Sequence, residues 1–275
     1  MNGVSASRCC AAPLTDGPRT RRLSTTRCTA CSSLWSSLQP IDERTWSGLD
    51  LSDEFVAALR ERRRSQAAAI LDLAAASFDE LGPLLDYGAG QGAFVASAMT
   101  RGVEAIGCDL DVAPGKVDGV TILVAPAPWT WPPGRWATVS LLDVLEHHPD
   151  PVELLGAVPA DQLIVKVPTA RGPLTVLARV AARIGVGGPL EAIFLVGDQS
   201  PHIVLLTRRG LATTLRRAGW TLRRRASITE VAGELPMRMR LPGRLPRLPL
   251  RLAGELIGSF GRWWSDTEVA VATRG

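Results

Sequence analysis

A chain of 275 residues, 46% hydrophobic and 21% charged, has enough apolar material for one α/β domain with a small appendage. No apolar run reaches roughly 18 residues without an Arg, Gly or Pro, so the sequence carries no sign of a spanning helix. The formal charge of +4 is modest, and Lys116 and Lys166 stand alone among many arginines, which makes arginine content a weak nucleic-acid signal. Five cysteines, four of them before residue 32, do not form the even framework of a small secreted disulfide protein; a reducing, cytoplasmic setting is expected.

Residues 1–40 contain Asp16 as their sole acid, are rich in Ser, Thr and Arg, and show no clear apolar period. They are expected to form an arm separate from a domain over 41–275. From Ser52 to Phe78 the pattern turns helical, with Phe55, Leu59, Ile70, Leu71 and Leu73 among Ala, Arg and Glu, and Ser52 as N-cap. Short apolar runs then alternate with helical segments, the pattern of βα units around a parallel sheet. Strands are expected near 83–87, 103–108, 120–124, 137–142, 161–167, 221–228 and 267–273. Helices are expected near 91–100, 151–157, 173–184 and 208–218. Gly233 to Pro249, with four prolines, reads as a loop, and Arg251 to Trp264 as an amphipathic helix before the last strand. There is no internal repeat.

The strongest constellation is Leu84-Leu85-Asp86-Tyr87-Gly88-Ala89-Gly90-Gln91-Gly92. An apolar strand ends in an acid and turns through three alternate glycines into a helix. Glycine supplies the unusual dihedrals and the close backbone approach that such a turn needs. The free amides of the following helix make its start electropositive. At the end of the next apolar run stands Asp109, where a carboxylate can accept hydrogen bonds from both hydroxyls of a ribose. The triplet also reads as a dinucleotide pattern with Ala93 in its third position, or as a bare strand-to-helix turn. Asp86 weighs against a dinucleotide, because a carboxylate repels a diphosphate. It would attract the ammonium and sulfonium of S-adenosylmethionine.

Asp86 to Gly92, with Gly107-Cys108-Asp109-Leu110-Asp111, resembles motifs I and II of class I S-adenosylmethionine (SAM)-dependent methyltransferases. Ser140-Leu141-Leu142-Asp143-Val144-Leu145-Glu146-His147-His148-Pro149-Asp150-Pro151 is similar to the segment after strand 4 in the bacterial subgroup with a D-V-L-E-H signature. Leu163 to Pro168 and His202 to Trp220 resemble that subgroup's fifth strand and the helix before its sixth. The resemblance spans about residues 50–230. It implies a Rossmann-like, seven-stranded, mostly parallel sheet with helices on both faces and the last strand antiparallel. It also implies that SAM is the cofactor. Asp86, Tyr87, Gly88, Ala89, Gly90 and Gly92 would then hold the methionine end, Asp109 the ribose and Leu110 the adenine face, with Leu142 and Asp143 beside the sulfonium. The family usually has an acid or amide after strand 3. Here the run is Ala125-Pro126-Ala127-Pro128-Trp129, so adenine recognition would rest on backbone at Ala125 and stacking by Trp129.

Methyl transfer is an in-line displacement helped by positioning, and a hydroxyl acceptor also benefits from a general base. The candidates are His147 and His202, since imidazole titrates near neutral pH. His147 with Glu146 has a second reading, as a device fixing the loop ahead of Asp150-Pro151. His202 is expected on the acceptor side, and His148 is expected to be exposed. Tyr87 leans over the cofactor or packs on the sheet.

Cys28-Thr29-Ala30-Cys31 is a C-x2-C knuckle, preceded by the adjacent Cys9 and Cys10. The layout resembles the small zinc ribbon heading some methyltransferases of the subgroup, in which two such knuckles close a tetrahedral site. The first knuckle is broken here, with Pro13 where a partner cysteine should be. Adjacent cysteines seldom both ligate one zinc, so zinc is not the favoured expectation; a zinc ion, if held, would take Cys28 and Cys31 with either Cys9 or Cys10. The alternatives are a metal-free, degenerate ribbon or a disordered basic arm.

Arg216-Arg217, Arg223-Arg224-Arg225 and the Arg-rich run from Arg238 to Arg251 have Trp220 as their nearby aromatic. That is poor in stacking groups for nucleic acid, and a solvated face is the better reading. Leu248 to Trp264 could line a lipophilic pocket or touch a membrane surface, and more commonly such a helix packs on its sheet. The expected function is methylation of a small-molecule acceptor: a sugar, a lipid-linked compound or a secondary metabolite. A non-catalytic SAM-binding or scaffold protein and an RNA methyltransferase are the alternatives. The acceptor pocket is expected from residues 169–200 together with the helix before the last strand.

Overall fold

The computed structural model describes residues 9–39, 53–110, 116–198, 200–228 and 265–275. Ser52, the loop 233–249 and the helix 251–264 expected from sequence lie outside them.

Residues 9–39, expected to lack periodic order, carry three short strands: β1 Leu14–Arg19, β2 Ser24–Cys28 and β3 Leu34–Ser36. All pair antiparallel, and Leu23 and Leu34 are the apolar residues that give the unit a core. Helix α1, Asp53–Ala75, follows. The alternating part begins with β4 Leu84–Tyr87, α2 Ala93–Met99, β5 Ala105–Asp109, β6 Ile122–Val124 and β7 Trp136–Leu142. A 3-10 turn, Leu145–His147, leads into α3 Pro151–Gly156. Then come β8 Ala160–Pro168, α4 Pro173–Arg183, α5 Gly188–Ile193, β9 Val204–Leu205, α6 Arg208–Arg217, β10 Trp220–Ile228 and β11 Thr267–Arg274. The seven strands expected from sequence and the helices expected near 91–100, 151–157, 173–184 and 208–218 are present; α5, the 3-10 turn and β9 are not among the expected elements.

The large sheet runs β10-β11-β8-β7-β4-β5-β6. β4 to β8 are parallel, and β11 is inserted antiparallel between β8 and β10. Both faces are covered, and the period-2 alternation of each strand sorts its side chains between them. Leu84, Ile164, Val269 and Val271 pack beneath Ile70, Leu71 and Ala74 of α1 and Val95 of α2. Leu85, Leu163, Val165, Ala270 and Ala272 face Leu154 and Leu155 of α3 and Leu211 and Leu215 of α6. Trp220 is buried on that second face, donating its indole N–H to the Leu155 carbonyl at 2.8 Å, with the Arg274 guanidinium 4.3 Å from its ring. It is therefore no stacking platform for a base. Among the described residues no helix is long and apolar enough to cross a membrane.

The small sheet runs β1-β2-β3-β9. Its fourth strand comes from the middle of the main domain, where Leu34 pairs with Leu205 and Trp35 with Val204. Leu23, Leu34, Leu205, Leu190 and Phe194 share one apolar cluster with Ala178 of α4.

Candidate functional site

Asp86, the penultimate residue of β4, lies on the face covered by α1 and α2. In register it lies opposite Ser140 of β7, whose hydroxyl donates to its carboxylate at 2.7 Å. The side chain is 2% exposed. Burial pushes its pKa up to about 7, with the nearby Asp109 charge adding to the rise and the Ser140 hydroxyl and Arg63 opposing it.

The loop after β4 turns back on β5. The Gly88 and Ala89 amides donate to the Cys108 carbonyl, at 2.8 and 3.1 Å. The Gly90 amide donates to the Asp109 carboxylate at 2.6 Å, and the Leu110 amide to its other oxygen at 2.7 Å. Gly88, Gly90 and Gly92 all have positive φ, at 79°, 53° and 79°. A Cβ on Gly88 would also collide with Val144, so two constraints require glycine there. Asp109 is buried, and Ala125 lies beside it, its amide donating to the Asp109 carbonyl at 2.8 Å.

A cleft opens on this loop, lined by Arg63, Gln66, Asp86, Gly88, Asp143 and Lys166 among others. Asp143 takes φ 59°, a left-handed conformation that Asp tolerates better than most residues. Its carboxylate pairs with the buried Lys166 ammonium at 2.6 Å, and Lys166 also donates to Gln66 at 2.9 Å. Arg63, Gln66 and Lys166 had not been singled out from sequence. Two sit on α1, where the helical period marks only which side faces the sheet, and the third is the lone cation in an apolar strand.

The expected site residues thus divide. Asp86, Gly88, Ala89, Leu142 and Asp143 line the cleft, while Gly90, Asp109 and Leu110 are joined through the loop. Tyr87 lies on the opposite face and packs on Trp131, ring centroids 4.8 Å apart, as the packing reading expects. Trp129, expected to stack on adenine, instead meets the His148 ring edge-on at 4.5 Å. His148 is buried rather than exposed, because its ring sits under that indole and its Nδ1 accepts the Asp150 amide at 2.9 Å. Asp150 in turn caps α3, accepting from the Val152 and Glu153 amides at 3.2 Å, with Pro151 next in the first turn.

Beyond β7 the 3-10 turn brings Glu146 and His147 against His202, which is distant in sequence. One polar atom from each of the three lies within 4.8 Å of the others. The two imidazoles are 4.9 Å apart, and His202 Nε2 is 4.0 Å from the Glu146 carboxylate, with both side chains at least 94% buried. His202 Nδ1 is 2.6 Å from the Ile193 carbonyl, which can only accept, so Nδ1 carries the hydrogen and Nε2 faces Glu146. His147 Nδ1 similarly donates to the Pro201 carbonyl at 3.1 Å. Burial lowers the His147 pKa from its ordinary 6.5, opposed by the Pro201 carbonyl and the Asp143 charge. Burial thus favours the neutral form of the His147 imidazole.

The four amino-terminal cysteines converge. The Sγ atoms of Cys9, Cys10, Cys28 and Cys31 all lie within 4.8 Å of one another, and Cys9 and Cys31 are 3.6 Å apart with no disulfide. Thiolates about 2.3 Å from one zinc stand about 3.8 Å apart in a tetrahedron, so the donor set suits such an ion. The adjacent pair, expected to supply one ligand, presents both sulfurs to the cluster. The Cys31 pKa is pulled down to about 4, chiefly by the Cys9 thiol; burial pushes Cys10 up to about 12.

No curated protein matches the chain. Among solved structures, a SAM dependent methyltransferase from Archaeoglobus fulgidus aligns with a TM-score of 0.51 and 16% identity, over 81% of this chain and 100% of the other. The 1,6-didemethyltoxoflavin-N1-methyltransferase of Burkholderia thailandensis aligns at 0.47 and 18% identity, over 94% and 99%. The geranyl diphosphate C-methyltransferase of Streptomyces coelicolor A3(2) aligns at 0.48 and 13%, over 86% and 92%. At these identities the likeness is one of fold. The family described as "Methyltransferase domain" matches residues 59–224, more than half of the chain. The chain therefore belongs to that family, and it is a class I SAM-dependent methyltransferase.

Proposed function

We propose that this enzyme methylates a small-molecule acceptor and that Glu146, His147 and His202 handle the acceptor's proton. The observation that carries this reading is the meeting of two imidazoles and a buried carboxylate at the carboxyl end of the parallel strands, where open α/β sheets place their ligands. The buried Asp86, whose proton affinity the neighbouring Asp109 charge raises, suits a cationic ligand and opposes a diphosphate, which favours SAM at the cleft beside it.

On this reading the loop from Gly88 to Gly92 and Asp86 hold the methionine end, with Arg63 able to take its carboxylate. Asp109 accepts from the ribose, and Ala125 and Leu110 border the adenine. SAM, when bound, supplies an electrophilic methyl group on a sulfonium. Asp143, held by Lys166, keeps a negative charge at the edge of the cleft. His147, neutral through burial, takes the acceptor's proton at Nε2, and Glu146 with His202 stabilises the charge that results. The chain needs no side-chain nucleophile for this transfer.

The test has two stages. Calorimetry with SAM and S-adenosylhomocysteine should show binding; heat with NAD and none with these two would overturn the cofactor assignment. Release of S-adenosylhomocysteine is then measured against panels of hydroxylated and aminated sugars, aromatics and lipid-linked compounds, with bulk RNA as counter-panel. Turnover confined to RNA would overturn the small-molecule reading.

A further inference from the structure

The four-thiol cluster lies far from the glycine loop in sequence, yet it is stitched directly to the segment carrying His202. Ser33 precedes β3 and Ser36 is its last residue. The Ser36 amide donates to the Ile203 carbonyl at 2.8 Å, and its hydroxyl donates to the His202 carbonyl at 2.9 Å. The Thr207 amide donates to Ser33 Oγ at 3.1 Å, and the Thr207 hydroxyl donates to the carbonyl of Cys31 at 2.8 Å. That same hydroxyl accepts from the Gly210 amide at 3.0 Å and so caps α6. Gly210 is confined by these contacts: a Cβ there would collide with Ser33 Oγ and lie 3.3 Å from Cys31 Sγ. Between these ties runs β9, whose two residues pair with Leu34 and Trp35.

The segment 202–207 is also buried, with Val204 and Leu206 in the core of the large sheet and Leu205 in that of the small one. Its backbone ties to the main domain ahead of α6 run from His202 to Phe194, from Ile203 to Glu146 and from Leu206 to Ala170. Two of these lead into the same cluster of site residues and α5. The position of His202 is therefore set from one side by β3, and β3 is set by the loop of Cys28 to Cys31. In that loop the Ser32 amide donates to the Cys28 carbonyl at 2.8 Å and the Cys28 amide to the Ser33 carbonyl at 2.9 Å. A small three-stranded unit of this kind has too little apolar core to fix itself, and a cross-link at the thiols supplies what the core lacks.

We propose that Cys9, Cys10, Cys28 and Cys31 together bind one zinc ion, and that this ion positions His202 by fixing the strand against which residues 202–207 are laid. Four sulfurs and no nitrogen or oxygen donor select a soft or borderline ion in tetrahedral geometry. The thiols lose their protons on binding, and no electron is transferred. The inference rests on the reading of His202 as part of the acceptor site only for its catalytic consequence; the metal and its mechanical coupling stand apart from it.

The experiment uses the full chain, with no acceptor required. Metal analysis of protein purified with zinc under reducing conditions should give one zinc per chain. Cobalt substitution should give the intense sulfur-to-metal charge-transfer absorption of a tetrathiolate. Cys10→Ser should reduce that absorption and lose zinc to a chelator that the parent withstands. Hydrogen exchange read on the parent, before and after chelation, should show loss of amide protection at residues 203–207 while calorimetric affinity for S-adenosylhomocysteine stays within twofold. Re-addition of zinc should restore the protection, which keeps the test informative if the Cys10→Ser chain does not fold. Protein without metal, protein holding iron, a Cys10→Ser chain retaining zinc as tightly as the parent, or unchanged exchange at 203–207 after chelation would each overturn the proposal.

Discussion

The two sides of the proposed site, one for the cofactor and one for the acceptor, are assembled in opposite ways. On the cofactor side, Asp86 to Gly92 and Asp109 to Leu110 are short contiguous runs at the ends of neighbouring parallel strands, and the groups that matter are joined by backbone amides. On the acceptor side, Glu146 and His147 meet His202 through contacts that pass by way of Ile193, Pro201 and Ser36. The first side depends on the sheet and on the helices α1 and α2 laid against it. The second needs the sheet, α5 and the amino-terminal strands at once. Damage to the first should therefore appear as lost binding, and damage to the second as lost turnover with binding intact.

The sharpest way to break this contrast is at His147. His147→Ala should lower kcat by about 10²–10⁴-fold, the span of a positioned general base, once an acceptor is in hand. Calorimetric affinity for S-adenosylhomocysteine should be unchanged; a matching loss of affinity would mean that the two sides are not separable. Next in size is Asp109→Ala, which should weaken S-adenosylhomocysteine by about 10²-fold through loss of charge-assisted hydrogen bonds. Unchanged affinity would remove Asp109 from the cofactor side.

A smaller effect follows from Asp86. With no ligand, its folded-state pKa of about 7 lies above the ordinary 3.8, so protonation favours the fold. That contribution is complete below about 3.8 and is lost as pH rises through about 7. A cationic ligand requires the charged carboxylate, so affinity for SAM should fall as pH drops below about 7, by at most about tenfold per unit. Asp86→Asn should flatten that profile, and a parent profile already flat from pH 6 to 8 would contradict the assignment. The smallest effect is Asp150→Ala, which removes the cap of α3 and should cost about 1 kcal/mol in thermal unfolding while leaving ligand affinity alone.

Legibility in the sequence follows the same division. Asp86, the glycines and Asp109 could be read because their chemistry depends on local spacing, and the strands because alternation in a two-faced sheet is a local pattern. Asp143 was legible by its place after β7, but its partner Lys166 was not, since that pairing follows from the register of β7 against β8. His202 was noticed as a residue, whereas its ties to Glu146 and Ile193 belong to tertiary packing. The arm before residue 40 misled most. Its Ser, Thr and Arg content hid strands of three to six residues, because part of their pairing comes from β9, a strand too short to leave any period of its own.

That shared strand has a further consequence. β9 gives its outer edge to β3, and Leu34 and Leu205 are wholly buried where the two meet. A protein begun after residue 39 would leave Val204 and Leu205 as an open, apolar strand edge, the kind of surface on which chains pair with one another. The amino-terminal strands are thus poor candidates for trimming when this enzyme is made for study, and a shortened form should be recognised first by self-association.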